Sequence, residues 1–514
     1  MIRYTPESQL TIEGFKTPFQ ASLSPDNRWV KLSEIVPWDK FASIYISKMN
    51  TNFGRPGISP RAVLGAMIIK HLEKLDDRGV IASIQENIYM QFFVGLAGFK
   101  NEPIFDPSLF VEIRKRIGAE SFDALNVALI ESVSKDEDSK HLSKNKKQDK
   151  NEEPDNTDVE GNTDVLKPVI PNKGKLQIDA TVADQYITYP TDTGLLRQST
   201  KQCEKLIDIL YKLQGKKETK PRTYRRKLDK CFLVFSKKRK KTKNEIRKTN
   251  RIFLEALQRD IKHINRMLDS FDKFPLNKEG QKMLWVVSLL YEQQKQMYDN
   301  KTNSCDDRIV SIFQPHVRPI VRGKQKLKVE FGSKLGISLD NGLARIGTMS
   351  WDAYNESGDL EKQVEAYKEL HGFYPELVQA DKIYATNKNR KYLNGRGIRL
   401  TASPLGRRKT KNQESYYKKR KRKKEATERN QIEGKFGQGK NGYELNRIRA
   451  KLIDTSESWV SAIIFIMNLI CIRDMRIIWS VFFSFIDLIS GKLPVFIVVK
   501  NYVRPNFNYK GLSL

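Results

Sequence analysis

The sequence predicts an α/β chain: a core containing a mixed sheet, interrupted by a large helical insertion and preceded by an all-α N-terminal domain. Three observations carry this. Leu176, Ile178, Ala180 and Val182 alternate with Gln177, Asp179 and Thr181, the two-residue period of a strand, and strand pattern returns between Ile309 and Trp351. Between those stretches the period is helical, with Leu254, Leu257, Ile261, Ile264 and Leu268 tracing one stripe. Before them, Val63, Leu64, Met67, Ile68 and Leu72 fall at helical spacing.

Residues 1–133 form the predicted helical domain. Ser59-Pro60-Arg61 opens a helix by placing proline in its first turn, a second run spans Val80 to Leu96, and a third follows Asp106-Pro107-Ser108. The third carries Arg114, Lys115 and Arg116, which suits a DNA-binding helix-turn-helix and equally any small helical bundle. Residues 134–174 are rich in Lys, Asp, Glu, Asn and Ser and too poor in apolar residues to offset ordering entropy, so a disordered linker is expected. Residues 175–194 and 301–475 make the sheet-bearing core. Within it, Asp340-Asn341-Gly342 reads as a hairpin turn, a helix is expected over Leu360–Leu370, and the short run from Glu376 ends in Asp381. Residues 195–300 are the insertion, whose basic tracts from Lys216 to Lys248 either follow a DNA backbone or form a solvated face. Residues 476–514 are an apolar helix and tail. The apolar stretch from Trp459 to Ile489 is split by Arg473, Asp474 and Arg476 into two runs, each short of the 18 or so residues that cross a bilayer, so two core helices and no membrane partner are expected.

Length and charge bound the function. At 514 residues about three domains are expected. Lys and Arg number 92 against 61 Asp and Glu, a formal charge of +31, which calls for a polyanionic partner. The basic residues recur along the whole chain instead of flanking one hydrophobic anchor, which favours nucleic acid over a membrane. Cys203, Cys231, Cys305 and Cys471 are scattered, with no CxxC pair and no secretory signal, so a reduced, cytoplasmic protein is expected. The histidines are isolated and form no HExxH, so any metal must sit on oxygen ligands.

Three acids stand in settings that suit such a metal. Asp179 lies mid-strand, Asp381 ends an apolar run where ligand sites of α/β sheets gather, and Glu433 lies between Arg429 and Lys440 in RNQIEGKFGQGK. Arg429, Glu433 and Lys440 are four and seven residues apart, one face of a helix. Transfer of a DNA phosphodiester needs an activated oxygen nucleophile and a neutralised leaving oxygen, and two Mg²⁺ ions roughly 3.5–4 Å apart on bridging carboxylates supply both. An ordinary surface ion pair between Arg429 and Glu433 is the plainer reading. Gly434, Gly437 and Gly439 weigh against a helix chosen for stability alone, each costing about 1 kcal/mol relative to alanine; either the helix ends early or its backbone approaches something closely.

In order and content, IDATVADQYITYPTD, ELVQADKIYATNKNR and ERNQIEGKFGQGKNGYELNRIRAKL resemble the three acidic motifs of DDE transposases of bacterial insertion sequences, in the branch like insertion sequence five. The resemblance implies a ribonuclease-H-like core in which Asp179, Asp381 and Glu433 are the catalytic, metal-binding triad for two Mg²⁺ ions, with Mn²⁺ able to substitute. It also implies a Tyr, Arg, Glu, Lys signature in which Arg429 and Lys440 contact DNA. The tyrosine position is Ala426 here, so that role is either absent or supplied elsewhere, by Tyr416 or Tyr417. In the run 407–424, Arg407, Arg408, Lys418, Lys419 and Arg420 are further expected DNA contacts, and Lys382, Lys388, Asn389 and Arg390 add candidates beside Asp381. The expected partners are double-stranded DNA, as terminal inverted repeats and as target, and a second copy of the chain when two ends are held. A non-catalytic DNA-binding relic or regulator is the alternative, distinguished by loss of one of the acids. All three are present.

Overall fold

Side-chain caps set three of the N-terminal helix starts. In the computed structural model, which describes residues 22–49, 57–145, 171–215, 219–321, 329–402 and 416–489, α1 (Arg28–Ile35) is capped by Asn27, α2 spans Trp38–Ile46, and α3 (Pro60–Leu72) carries proline in its first turn. The predicted run from Val80 to Leu96 is two helices, α4 (Asp77–Glu86) and α5 (Ile88–Phe93). Asn87 separates them, because its side chain accepts from the amides of Tyr89 and Met90 and starts a new helix there. α6 runs from Leu109 to Asn145, interrupted only at Gly118 (φ 62°), so it passes the expected boundary at 133 and takes up the first part of the expected linker. The rest of that linker, 146–170, lies outside the described residues, as do Arg407, Arg408 and the tail beyond 489.

The insertion is four helices, α7 (Asp192–Leu213), α8 (Arg225–Lys237), α9 (Lys243–Leu268) and α10 (Lys278–Asp299). The stripe expected on α9 is real: Leu254, Leu257 and Ile264 are buried in a core shared with Leu196, Ile207 and Leu210 of α7 and Val287 and Leu290 of α10.

Six strands form one mixed sheet: β1 (Lys175–Asp184), β2 (Arg318–Val321), β3 (Val329–Asp340), β4 (Leu343–Ser350), β5 (Leu377–Ala380) and β6 (Arg399–Leu400). Their order is β2-β3-β1-β5-β6, with β4 also beside β3. β1 is antiparallel to β3 and parallel to β5, and β5 is parallel to β6. The β3–β4 hairpin turns at Asn341 and Gly342, both with positive φ (47° and 82°), as the Asp-Asn-Gly signal demands. Asp340 sits at its entry and bonds His371 at 2.8 Å.

Each face of the sheet has its own cover. Leu176, Ile178, Val378 and Ala380 pack with Leu360 and Val364 of α11 (Asp359–His371) and Leu393 of α12 (Asn387–Asn394). Leu335, Ile337 and Leu339 pack with Ile432 of α13 (Tyr416–Gly442) and with Val460, Ile463 and Met467 of α14 (Ile453–Ile489). α14 is one continuous helix, where two were expected, and the boundary proposed at 475/476 falls inside it. Arg473 and Asp474 do not break it because they pair with each other at 2.7 Å, with Asp474 exposed and Arg473 partly so. Its stretch Ile453–Arg476 is long and apolar enough to cross a membrane, yet most of that stretch is buried within the protein. Phe465 packs between Phe41 and Phe122, and Ala462, Ile466 and Leu469 join the same core as α2, α3 and α6.

The basic third helix of the N-terminal region is not a free cationic face. Arg114 is buried and paired with Asp77 at 2.9 Å, Lys115 pairs with Glu112, and Arg116 donates to the Tyr45 hydroxyl.

Candidate active site

The site is built where two parallel strands lie side by side. Ile178 pairs in register with Ala380, and both enter the core beneath α11 and α12. Strand alternation therefore sends the next residues, Asp179 and Asp381, to the other face together. Asp179 is half-buried, and its Oδ1 accepts from the Ala180 amide at 2.8 Å. Asp381 is exposed at the carboxyl end of β5, with Oδ1 accepting from the Lys382 amide at 2.7 Å.

α13 crosses this face, anchored by the fully buried Ile432. From it, the Arg429 guanidinium lies 3.7 Å from Asp179 Oδ2 and donates to Glu433 Oε1 at 3.2 Å. Arg429 thus ties the strand acid to the helix acid. Burial pushes the Asp179 carboxyl up, against the Ala180 amide and Arg429, which draw it down; Glu356 and Asp381 add upward pressure as nearby negative charges.

What holds α13 at this height is a pair of glutamines that the motif reading passed over. Gln177 and Gln379 stand two residues before Asp179 and Asp381, on the same face, and bond each other at 2.8 Å. Gln177 Nε2 also donates to the Glu428 carbonyl at 2.9 Å, and Gln379 Nε2 to the Glu425 carbonyl at 3.0 Å. Both are buried. The available signal was period two: a polar residue two positions before each acid had to share its face.

The structure does not gather every expected residue here. Lys440 bonds Glu330 at 3.2 Å and lies 3.9 Å from Asp184, five residues and roughly 17 Å further along β1 than Asp179. This internal pairing arises because α13 passes over the far end of the strand at that point. Lys418 and Lys419 fall at the start of α13, and Arg420 and Tyr417 are exposed there. Ala426, at the tyrosine position, is exposed. Lys382 and Lys388 are exposed, whereas Asn389 is buried and donates to the Ser357 and Tyr384 carbonyls, which makes it a structural residue. The helix does not end early at its glycines. A side chain at Gly434 or Gly437 would meet nothing within 4 Å, whereas one at Gly439 would press on Leu445 and Met467 at 3.2 and 3.3 Å. Close packing against α14 therefore accounts for Gly439 alone.

In donor chemistry the three acids fit a hard divalent cation, being all carboxylate oxygens. Among the described residues, no three Asp, Glu, His or Cys side chains converge as a formed metal cluster, and Glu433 is held by Arg429.

Residues 378–470, which include Asp381, Arg429, Glu433 and Lys440, match a family described as a transposase DDE domain. Residues 17–116 match a second family described as a transposase domain. An uncharacterized protein, ORF8 in the nfe locus of Rhizobium meliloti, is 31% identical over 118 residues; the chain spans about half the length of that relative (56%), and the match takes in 23% of this chain. No solved structure matches the chain.

Proposed function

We propose, on the premise that this chain is a DDE transposase of an insertion sequence, that it binds the terminal inverted repeats of its element, cuts DNA there and joins the freed 3′-hydroxyl to target DNA. The observation that supports this is the register of β1 and β5, in which Ile178 pairs with Ala380 immediately before Asp179 and Asp381, together with Arg429, which lies near Asp179 and pairs with Glu433. The strand order, with β4 and β3 antiparallel beside a central β1 and then parallel β5 and β6, supports reading the core as ribonuclease-H-like.

Asp179, Asp381 and Glu433 would hold two Mg²⁺ ions, or Mn²⁺ in their place. Bound there, the ions supply an activated attacking oxygen and charge neutralisation on the leaving oxygen. In cutting, a water oxygen bonds to phosphorus as the P–O3′ bond breaks and frees a 3′-hydroxyl; in joining, that 3′-hydroxyl oxygen bonds to a target phosphorus as the target's own P–O3′ bond breaks, leaving a 3′-hydroxyl on the target strand. Asp179 is the rigid member, fixed in a central strand with its amide contact already made. Glu433 is the movable one, exposed and restrained by Arg429, which turns to phosphate when the pair opens. The start of α13, with Lys418, Lys419 and Arg420, and the preceding run with Arg407 and Arg408 would grip the DNA backbone by charge. Two ends held at once would require two copies of the chain. The reaction belongs in the cytoplasm, where the element's DNA is.

The deciding experiment is cleavage and strand joining of labelled DNA carrying the element's end in Mg²⁺, comparing the intact chain with Glu433→Gln. Activity in the first and none in the second, with binding kept in both, is the expected result. Binding by both with cutting by neither would favour a non-catalytic regulator. Equal cutting would remove Glu433 from the site.

A further inference from the structure

We infer that the α8–α9 hairpin of the insertion is a second duplex-DNA binding surface, separate from the carboxylate site, that takes the sugar-phosphate backbone of DNA outside the reacting end. It rests on the transposase reading for the identity of the polyanion; the surface itself is read from the insertion alone.

Residues 219–248 contain two acids, Asp229 and Glu245, among a run of lysines and arginines. Both acids are already engaged. Asp229 is held by Arg197 at 2.6 Å and Lys201 at 3.5 Å, and Glu245 by Lys238 at 2.6 Å and by the cap of α9. The neighbouring Asp208 is held by Lys220 and Arg225. Among the described residues, these three acids are all paired within the insertion. The outer surface is left with Arg226, Lys230, Lys237, Arg239, Lys240 and Lys243, all exposed and, among the described residues, without an ion pair.

These cations are ordered by helix geometry. Arg226, Lys230 and Lys237, with the exposed Leu233 between them, follow a spacing of four, three and four residues, one stripe of α8. The stripe is about 17 Å long at 1.5 Å per residue, or about five base-pair rises of duplex. At its end Arg239, Lys240 and Lys241 form the turn into α9, where Lys241 is fixed by a 2.9 Å bond to the Lys238 carbonyl and lies over the Phe235 ring. Thr242 and Glu245 close the start of α9 with a reciprocal capping box, which occupies the Thr242 and Glu245 amides and fixes the turn that carries these cations. Like charges held this close repel one another within a Debye length of about 10 Å at 0.1 M salt, a cost that a polyanion offsets. α8 itself buries only Leu228, so its exposed face adds little to folding, which fits a helix kept for contact.

The test uses the full chain carrying Lys237→Gln, Arg239→Gln, Lys240→Gln and Lys241→Gln together, and separately Arg226→Gln with Lys230→Gln. Binding to a long duplex of random sequence is titrated at several salt concentrations. The expected result is weaker binding and a salt dependence shallower by about 0.9 in log K per log salt for each phosphate no longer neutralised, with circular dichroism unchanged and cutting of a short end duplex retained. Unchanged affinity and slope in both variants would overturn the inference, whether or not the chain cuts DNA. Loss of binding to anionic lipid vesicles without loss of DNA binding would also overturn it, by assigning the surface to a membrane. A shallower slope in a chain that cuts nothing would keep this surface and count against the transposase reading alone.

Discussion

Gln177 and Gln379 are amides buried between two layers, where a polar group deprived of its partner costs about 1–3 kcal/mol. Their value to the site is positional: the bonds to the Glu425 and Glu428 carbonyls fix how far along its axis α13 lies, and hence where Glu433 stands relative to Asp179. Gln379→Leu keeps the volume and removes the donors. Cleavage should fall by roughly 10²-fold, the scale of an ångström-level misplacement, with a higher Mg²⁺ requirement, while thermal melting drops only modestly. Equal Mg²⁺ titrations in the two proteins would deny the glutamine this positioning role. A second residue-scale outcome concerns Asp260, wholly buried on α9, with Arg259 2.9 Å from Oδ1 and no partner on Oδ2. Burial pushes its carboxyl up from 3.8 to about 6. The fold therefore prefers the protonated acid, a contribution fully present below about pH 4 and lost as pH rises through about 6. Asp260→Asn should raise stability at pH 7 by about 1–3 kcal/mol, with the gain vanishing toward pH 4. Melting curves across that range check it.

Among the elements, α13 and α14 separate what the sequence could say from what it could not. Strand period exposed β1, the hairpin and both strand acids, because alternation is a local property and Asn-Gly dictates its own turn. The spacing of Arg429 and Glu433 likewise survived, being internal to one helix. The ion pairing of Lys440 was not legible, since only the tertiary crossing of α13 over β1 brings Asp184 and Glu330 beneath it. The unity of α14 was hidden for a related reason: Arg473 and Asp474 look like a break until it is known that they lie on an exposed side and neutralise each other. The glycines of α13 give the element-scale prediction. With open space around Gly434 and Gly437, alanine at each should stabilise the helix by about 1 kcal/mol. If the reason for glycine there is close approach of DNA, Gly434→Ala and Gly437→Ala should melt higher yet bind end DNA more weakly. A higher melt with unchanged binding would leave only tolerance of a weak helix as the reason.

At the scale of the whole molecule, the N-terminal helices and the sheet are joined by a buried polar junction. Asn468 of α14 accepts from the Ala344 amide at 2.8 Å and donates to the Ala344 carbonyl at 2.6 Å and to Asn126 of α6 at 2.8 Å, while Asn126 donates to the same carbonyl at 3.0 Å. Three elements from distant parts of the chain thus share four hydrogen bonds around one backbone unit of β4. Nearby, Arg345 and Asp123 repeat the link between β4 and α6 at 3.0 Å. Leu343 adds the apolar part, being buried in the same core as Phe465 and Leu469. Such a junction makes the two regions melt together, because opening either one leaves buried amides of the other unpaired. Asn468→Leu leaves the Ala344 amide and Asn126 Oδ1 without their partner, while Asn126 keeps its bond to the Ala344 carbonyl, and should cost about 1–3 kcal/mol for each group left unsatisfied. Calorimetry should then show the single transition of these regions broadening or splitting, with protease sites opening first on the N-terminal side. A variant that melts as one sharp transition at an unchanged temperature would mean that apolar packing of α14 alone couples the halves.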